Sequence, residues 1–253
     1  MIYQAHKGVS TEYPENTMPA VIAAVEQGYG IIELDIGVTK DLKFVLLHDD
    51  FINRTGRYPD GKEIEEKIAV GDLTYEQLQA YDFGIRNGEE FKGTKAPLFE
   101  DVLKYAQSVK IPIKIDNKYQ KMNEEQKKAF FELLAPYTDV ACLTCGDIDA
   151  IKEALEFFPE MSFHYDGIVS EEHLEEVSKL VPKEHLTVWL AHKNEHTHWV
   201  KVPYANKELA DLVKKYATLG VWILSTEEQL KDAKLLGAEI VETNGQLKPR
   251  SEK

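Results

Sequence analysis

The chain alternates short apolar runs typical of β-strands with amphipathic stretches typical of helices, and this rhythm restricts the fold more than any other feature. Strands that alternate with helices form a parallel sheet covered by those helices. Eight strands are predicted, at Ile2 to His6, Ile31 to Thr39, Ile111 to Asn117, Val140 to Thr144, Met161 to Tyr165, Leu186 to Ala191, Val221 to Leu224 and Glu239 to Thr243. Helices are predicted between them at Pro14 to Gln27, Glu124 to Tyr137, Ile148 to Phe157, Glu171 to Leu180, Lys207 to Leu219 and Glu227 to Leu236. The sequence therefore predicts an α/β fold, a (β/α)8 TIM barrel.

A single domain over residues 1–253 fits the length and the 43% hydrophobic content. The interval from Phe44 to Lys110 is too long for a simple strand-to-helix turn. It predicts a small insertion after the second strand, at about residues 50–97, which would form a lid or wall of the active site. Its predicted elements are a strand at Phe44 to His48 and helices at Tyr75 to Asp82 and Leu98 to Val109. Thr74 with Gln77, and Ser225 with Glu228, fit capping boxes.

The net charge of −14 repels nucleic acids and anionic membranes, so neither is an expected partner. An anionic substrate would need local positive charge from lysines or a metal. The N-terminus lacks a signal-peptide pattern and no segment is apolar enough to span a bilayer, so we expect a cytoplasmic protein, although a leader removed earlier would leave the same sequence. The oligomeric state cannot be predicted.

Two acids stand in the otherwise apolar second strand. The period-2 geometry of a strand sends Glu33 and Asp35 to one face, while Ile32, Leu34 and Ile36 meet the helices on the other. Two ionised carboxylates inside a barrel favour a hard divalent cation, Mg²⁺ or Ca²⁺. A pair of charges on a solvated strand edge is the alternative.

The third barrel strand repeats the arrangement, with Lys114, Asp116 and Lys118 facing inward. Asp116 would complete the protein ligands of the cation, and Lys118, one step nearer the carboxyl end, could hold a substrate oxyanion. Lys114 lies lower in the barrel, where a buried ion network is the expected role.

Two histidines end predicted strands, where barrel enzymes carry out their chemistry. Histidine is a natural acid or base at neutral pH, and His6 and His48 flank the predicted cluster of acids. A lone histidine at a strand end is more often structural, but two beside three carboxylates indicate catalysis.

These residues resemble the ordered signature of the glycerophosphodiester phosphodiesterase family, mostly in the first half of the chain. The matching segments are His6-Lys7-Gly8, Pro14-Glu15-Asn16-Thr17, Glu33-Leu34-Asp35, Thr39-Lys40-Asp41, His48-Asp49, Asn53-Arg54-Thr55, Leu73-Thr74, Pro97 before the Glu100 to Leu103 helix, and Asp116-Asn117-Lys118.

The resemblance implies metal-dependent hydrolysis of glycerophosphodiesters to glycerol 3-phosphate and an alcohol, with a role in lipid and glycerol metabolism. It implies that His6 and His48 are the general base and general acid, and that Glu33, Asp35 and Asp116 bind one divalent cation. It further assigns the substrate side to Lys7, Lys118, Glu15 and Trp222. The family usually has arginine at the Lys7 position, glutamate at the Asp116 position and aspartate at the Asn244 position.

Several alternatives stay open at this point. The substrate could be a lysophospholipid or another phosphodiester, or the barrel could bind a phosphoester without catalysis. Cys142 and Cys145 have redox or zinc spacing, but packing is favoured. The loop from His192 to His198 could hold a second metal, although its spacing matches no standard zinc pattern. Trp199 could line the leaving-group pocket or simply pack under a loop.

Overall fold

A closed barrel of eight parallel strands forms the centre of the protein, as the sequence predicts. The structure is a computed structural model that describes residues 1–200 and 203–249. The strands are β1 (Ile2–His6), β2 (Ile31–Leu34), β3 (Ile36–Val38), β4 (Phe44–Leu46), β5 (Ile113–Ile115), β6 (Ala141–Cys145), β7 (Phe163–Tyr165), β8 (Leu186–Ala191), β9 (Thr218–Leu224) and β10 (Ile240–Thr243). The barrel runs β1-β2-β5-β6-β7-β8-β9-β10 and closes on β1, while β3 and β4 pair antiparallel outside it.

The helices surround the barrel and lie mostly where the sequence places them. They are α1 (Met18–Glu26), α2 (Tyr75–Leu78), α3 (Phe99–Val109), α4 (Glu124–Leu134), α5 (Ile148–Phe157), α6 (Glu171–Leu180), α7 (Lys207–Tyr216) and α8 (Glu227–Leu236). The predicted helix at Lys207 to Leu219 is too long, because Thr218 and the residues after it pair with β8 as the start of β9. Pairing with a buried neighbouring strand outweighs the weak helical preference of this segment.

The caps at the helix starts are partly as predicted. Thr74 accepts from the Gln77 N–H at 3.2 Å and its own N–H donates to the Gln77 side chain at 2.9 Å, so this capping box is confirmed. The predicted box at Ser225 is wrong by one residue. Thr226 is the N-cap and accepts from the Gln229 N–H at 3.3 Å.

The strand faces separate an apolar shell from a polar interior. Ile32 and Leu34 on β2 join the apolar core beneath the helices, as expected from their alternation with Glu33. Inside the barrel the Lys114 Nζ lies 3.4 Å from a Glu242 carboxylate oxygen and 4.7 Å from the centre of the Trp189 ring. Lys114 thus belongs to the buried ion network that its low position predicts.

The segment between β2 and α3 builds a wall at the carboxyl end of the barrel. It has its own apolar cluster, formed by Val45, Leu47, Ile52, Ile64, Val70, Leu78, Phe83 and Ala96. The predicted helix from Tyr75 to Asp82 ends at Leu78, because Asp82 instead pairs with Arg57 in a β-bridge. The N–H of Leu47 donates to the Asp35 carbonyl at 3.1 Å, which ties this wall to the end of β2.

No helix among residues 1–200 and 203–249 is long and apolar enough to cross a membrane.

Candidate active site

Three acids converge at the carboxyl ends of β2 and β5. Each of Glu33, Asp35 and Asp116 places one carboxylate oxygen within 4.8 Å of the others. They meet because β2 and β5 are parallel neighbours, and the Asp116 N–H donates to the carbonyl of Leu34 at 3.0 Å. Three carboxylates around one point form a donor set that suits a hard cation such as Mg²⁺ or Ca²⁺.

The buried pair in this cluster is electrostatically unequal. Burial raises the pKa of Glu33 well above its ordinary value, and the charge of Asp35 adds to the effect. Burial also opposes ionisation of Asp35, but the ammonium groups of Lys118 and Lys7 outweigh it and hold the pKa of Asp35 below its ordinary value. The Lys118 Nζ donates to an Asp35 oxygen at 2.6 Å and to the His48 carbonyl at 2.7 Å.

Asn16 orients Asp35 from the β1–α1 loop. Its side-chain amide donates to Asp35 Oδ2 at 2.8 Å and accepts from the Asp35 N–H at 3.1 Å. This reciprocal pair fixes the direction of the carboxylate. Sequence reasoning gave Asn16 no role, although it stands within the Glu15-Asn16-Thr17 segment of the family signature.

His6 ends β1 and faces the acids. Its Nδ1 donates to Asn244 Oδ1 at 2.6 Å, which leaves Nε2 on the side of Glu33, 3.9 Å from the nearest carboxylate oxygen. Burial lowers the pKa of His6 and outweighs the opposing attraction of Glu242. The imidazole is therefore neutral at neutral pH, with one ring nitrogen free to accept a proton.

His48 begins a chain of charged contacts across the rim. Its Nδ1 lies 2.5 Å from Asp49 Oδ1, and the Arg54 guanidinium donates to Asp49 Oδ2, also at 2.5 Å. Arg54 holds both oxygens of Glu15 at 2.7 Å, and the Lys7 ammonium lies 3.5 Å from Glu15. The sequence predicted Glu15 as a supporting residue. It gave no role to Asp49 and Arg54, which were named only as members of the segments that match the family signature.

The turn after β1 brings Lys7 to the site in a restricted conformation. Lys7 and Gly8 have φ values of 59° and 76°, in the left-handed region that favours glycine. A Cβ on Gly8 would lie only 2.7 Å from the Ala20 Cβ, so α1 packs against a position that has room only for glycine. The Lys7 N–H donates to the Glu33 carbonyl at 2.9 Å, which places Lys7 beside the acids.

Most of the predicted site residues line one cavity of about 610 Å³. His6, Lys7, Glu33, Asp35, His48, Asp116 and Trp222 all border it. The two histidines are thus on the same end of the barrel. Lys118 and Glu15 are outside its lining and act on it through Asp35, Lys7 and Arg54. Trp199 also borders the cavity, as one of its two predicted alternatives has it. His196, Asp166 and Asn244 border it as well, and sequence reasoning assigned these three no place in the substrate cavity.

Neither the cysteine pair nor the histidine loop, the two other features raised by the sequence, forms a metal or redox site among the described residues. Burial raises the pKa of both Cys142 and Cys145 to about 12, and the Cys145 Sγ is hydrogen-bonded to the Tyr119 hydroxyl at 3.1 Å. Both cysteines therefore fit a packing role and not a thiolate site. Over residues 1–200 and 203–249, the three-acid cluster is the only group of acidic, histidine or cysteine side chains compact enough to hold a metal. The predicted alternative of a metal in the His192 to His198 loop thus has no geometric support.

A TIM barrel whose strand ends gather acids, imidazoles and lysines around one cavity has the architecture of barrel phosphodiesterases. The model of the glycerophosphoryl diester phosphodiesterase family matches residues 6–241, and the chain belongs to this family.

Curated relatives agree with this assignment. A glycerophosphodiester phosphodiesterase of Bacillus altitudinis is 30% identical over 187 residues, covering 63% of this chain and 73% of that protein. One from Caldanaerobacter subterraneus is 39% identical over 98 residues, 39% of this chain and 37% of that protein. The uncharacterized protein YqiK of Bacillus subtilis is 34% identical over 130 residues, 49% of this chain and 50% of that protein. The chain therefore spans half or less of the length of some curated relatives.

Solved structures show the same fold. A phosphodiesterase of Oleispira antarctica, in complex with the product sn-glycerol-3-phosphate, has a TM-score of 0.75 at 17% identity and covers 97% of this chain and 94% of that one. A glycerophosphodiester phosphodiesterase of Thermotoga maritima has a TM-score of 0.70 at 21% identity, with coverage of 97% and 95%.

Proposed function

We propose that the chain hydrolyses glycerophosphodiesters to glycerol 3-phosphate and an alcohol, with one divalent cation, Mg²⁺ or Ca²⁺. The observation that carries this proposal is the convergence of three acids and two histidines on one cavity in a member of this family. The product named with the Oleispira antarctica structure supports the substrate class.

Glu33, Asp35 and Asp116 would hold the cation. When bound, a divalent cation supplies Lewis-acid polarisation of a phosphoryl oxygen. The protein's own part is to keep the acids oriented, which Asn16 does for Asp35.

His6 is the proposed general base. Its Nδ1 is occupied by Asn244, so the proton from the attacking oxygen goes to Nε2. Direct attack by water, and attack by a hydroxyl of the glycerol followed by opening of a cyclic phosphate, both begin with this transfer. The two routes end in the same products.

His48 is the proposed general acid, and Asp49 positions it. The Asp49 carboxylate binds Nδ1 and so fixes the ring, which leaves Nε2 for the cavity that His48 borders. Nε2 then protonates the departing alkoxide. Each such proton transfer contributes typically about 10² to 10⁴ in rate.

Lys7 is the proposed contact for the phosphate, because its ammonium lies between Glu15 and Asp35 at the cavity edge. Lys118 is proposed to add positive charge beside the phosphate without a direct contact, since its ammonium is hydrogen-bonded to Asp35 and to the His48 carbonyl. These two cations supply the local positive charge that the net charge of −14 requires. Trp222 is the proposed wall of the substrate cavity. Cytoplasmic location and a place in lipid and glycerol metabolism stay predictions.

The test is turnover of glycerophosphocholine with Mg²⁺ or Ca²⁺, followed by release of choline and glycerol 3-phosphate. We expect chelator and His48→Ala each to abolish release. His185→Ala is the matched control, because His185 is exposed and stands just before β8, at the amino end of the strand and away from the carboxyl ends that carry the site, and it should keep full activity. Turnover that persists in chelator, or in His48→Ala, contradicts the assigned roles. A protein that binds the diester but never releases choline is the non-catalytic alternative.

A further inference from the structure

An apolar groove of about 730 Å³ opens beside the active-site cavity, at the carboxyl ends of β7, β8 and β9. We name it the tryptophan groove, since all three tryptophans of the chain, Trp189, Trp199 and Trp222, line it. The same three rings also border the active-site cavity, so the groove and the cavity are continuous.

The groove exposes apolar side chains that a soluble surface would normally cover. Ile168 is 60% exposed and Trp199 is 64% exposed. The Trp199 Nε1 donates to the His196 carbonyl at 2.8 Å, so the polar atom of the ring is satisfied while its apolar face stays open. A contiguous exposed apolar patch of this kind is typical of a binding site.

The chemistry of the lining selects the kind of ligand. The described lining contains neither lysine nor arginine, and its polar side chains, Asp166 and Asn117, stand where the groove meets the active-site cavity. Among the described lining residues, a second phosphate therefore meets no cationic side chain. A hydrocarbon chain fits it, because Val169, Leu190 and Leu209 extend the apolar wall away from the catalytic cavity.

We infer that the tryptophan groove takes the hydrocarbon chain of a single-chain phosphodiester, a lysophospholipid. This inference rests on the proposed function, since it places the phosphate at the acids and the chain in the continuous groove. The ligand enters as a monomer, because the net charge of −14 disfavours approach to an anionic bilayer.

The test measures binding separately from turnover. Hexyl, octyl and decyl phosphocholine, each below its micelle concentration, are titrated in the presence of Ca²⁺ against the His48→Ala variant, with tryptophan fluorescence as the signal. Because every tryptophan lines the groove, chain entry shifts the emission to the blue. Burial of each methylene strengthens binding roughly fourfold, so two added carbons should lower Kd roughly 15-fold.

Two matched variants show where the chain lies. Ile168→Asp puts a charge into the groove and should raise the Kd of decyl phosphocholine roughly tenfold while leaving glycerophosphocholine turnover unchanged. Leu235→Asp makes the same change at a residue that is 76% exposed on α8, and should alter nothing.

The outcomes separate the two proposals. A Kd that does not depend on chain length overturns the inference, and would instead mean that Asp166 and the tryptophans recognise the quaternary ammonium. Equal effects of Ile168→Asp and Leu235→Asp also overturn it. Chain-dependent binding without hydrolysis of glycerophosphocholine or decanoyl lysophosphatidylcholine by the unmutated protein supports the groove and contradicts the proposed function.

Discussion

Cation binding at the three acids should stabilise the folded protein, and Asp116→Asn should remove that effect. A ligand that binds only the folded state at about 100 times its Kd adds about 2.7 kcal/mol to the free energy of unfolding. For a chain of 253 residues this raises the melting temperature by about 5 to 10 °C.

Asp116→Asn removes one of three carboxylates from a cluster whose oxygens lie within 4.8 Å of one another. Changes even outside the ligand shell typically weaken metal binding by about 10- to 100-fold, and loss of a ligand should reach at least the upper figure. At the same cation concentration the stabilisation then falls to about 0.4 kcal/mol, a melting shift of about 1 °C.

The cation-free proteins should show the opposite order. The charge of Asp116 contributes to raising the pKa of Glu33, which means that the acids repel each other without a cation. In chelator, Asp116→Asn should therefore melt at or above the unmutated protein. This reversal of order is specific to a cluster of like charges that a cation neutralises.

The assay is thermal unfolding by differential scanning fluorimetry in chelator, Mg²⁺ and Ca²⁺. Asp166→Asn is the control, because Asp166 borders the same cavity but does not belong to the three-acid cluster, and it should keep most of the cation shift. A full cation shift in Asp116→Asn, or none in the unmutated protein at saturating Mg²⁺ and Ca²⁺, refutes the assignment of the site.

Three further changes have definite expected outcomes. Asp49→Asn should lower kcat by roughly tenfold or more with little change in KM, because it weakens a charge-assisted bond to His48; a KM effect alone would contradict this. Gly8→Ala should lower the free energy of unfolding by roughly 1 to 3 kcal/mol in denaturant titrations, since it meets Ala20 at a positive φ; unchanged stability would contradict the close approach. Asp82 is 2% exposed and accepts three backbone N–H bonds at 2.6 to 2.9 Å, which overcome its burial and lower its pKa. Asp82→Asn should therefore cost about 1.5 to 3 kcal/mol at neutral pH. That loss should shrink as the pH falls from about 4 through the lower folded pKa, and a pH-independent difference would refute it.

The barrel and its acids were predictable because both follow from short-range patterns. Side chains alternate between the two faces of β2, so Glu33 faces the barrel interior and Ile32 faces the helices. This placement needs no information from distant parts of the chain. Parallel strands then bring the residues that end them to one rim, so the meeting of Asp116 with Asp35 also follows from the sequence.

The supporting contacts were not predictable in the same way. Asn244 and His6 are separated by 238 residues, and Arg54 and Glu15 by 39. The Arg54–Glu15 pairing depends on how the segment after β2 packs against the β1–α1 loop, which no local pattern encodes. His6 meets Asn244 because β10 returns beside β1 when the barrel closes, with Ala5 level with Thr243. The residue at which α7 ends also depends on a contact distant in sequence, because Thr218 pairs with β8 as a strand residue.

The structure also bears on aspartate in place of the glutamate expected from the family resemblance at position 116. A shorter side chain leaves two alternatives, a ligand that draws the cation inward or one that acts through water. Asp116 follows β5 directly, and its N–H bond to Leu34 holds its backbone level with the end of β2. One of its oxygens therefore lies within 4.8 Å of one oxygen each of Glu33 and Asp35. If Asp116 held a cation directly, the strand would need no displacement, so we expect Asp116→Glu to crowd the site and weaken the cation-induced melting shift. An equal or larger shift in that variant would instead favour coordination through water in the unmutated protein.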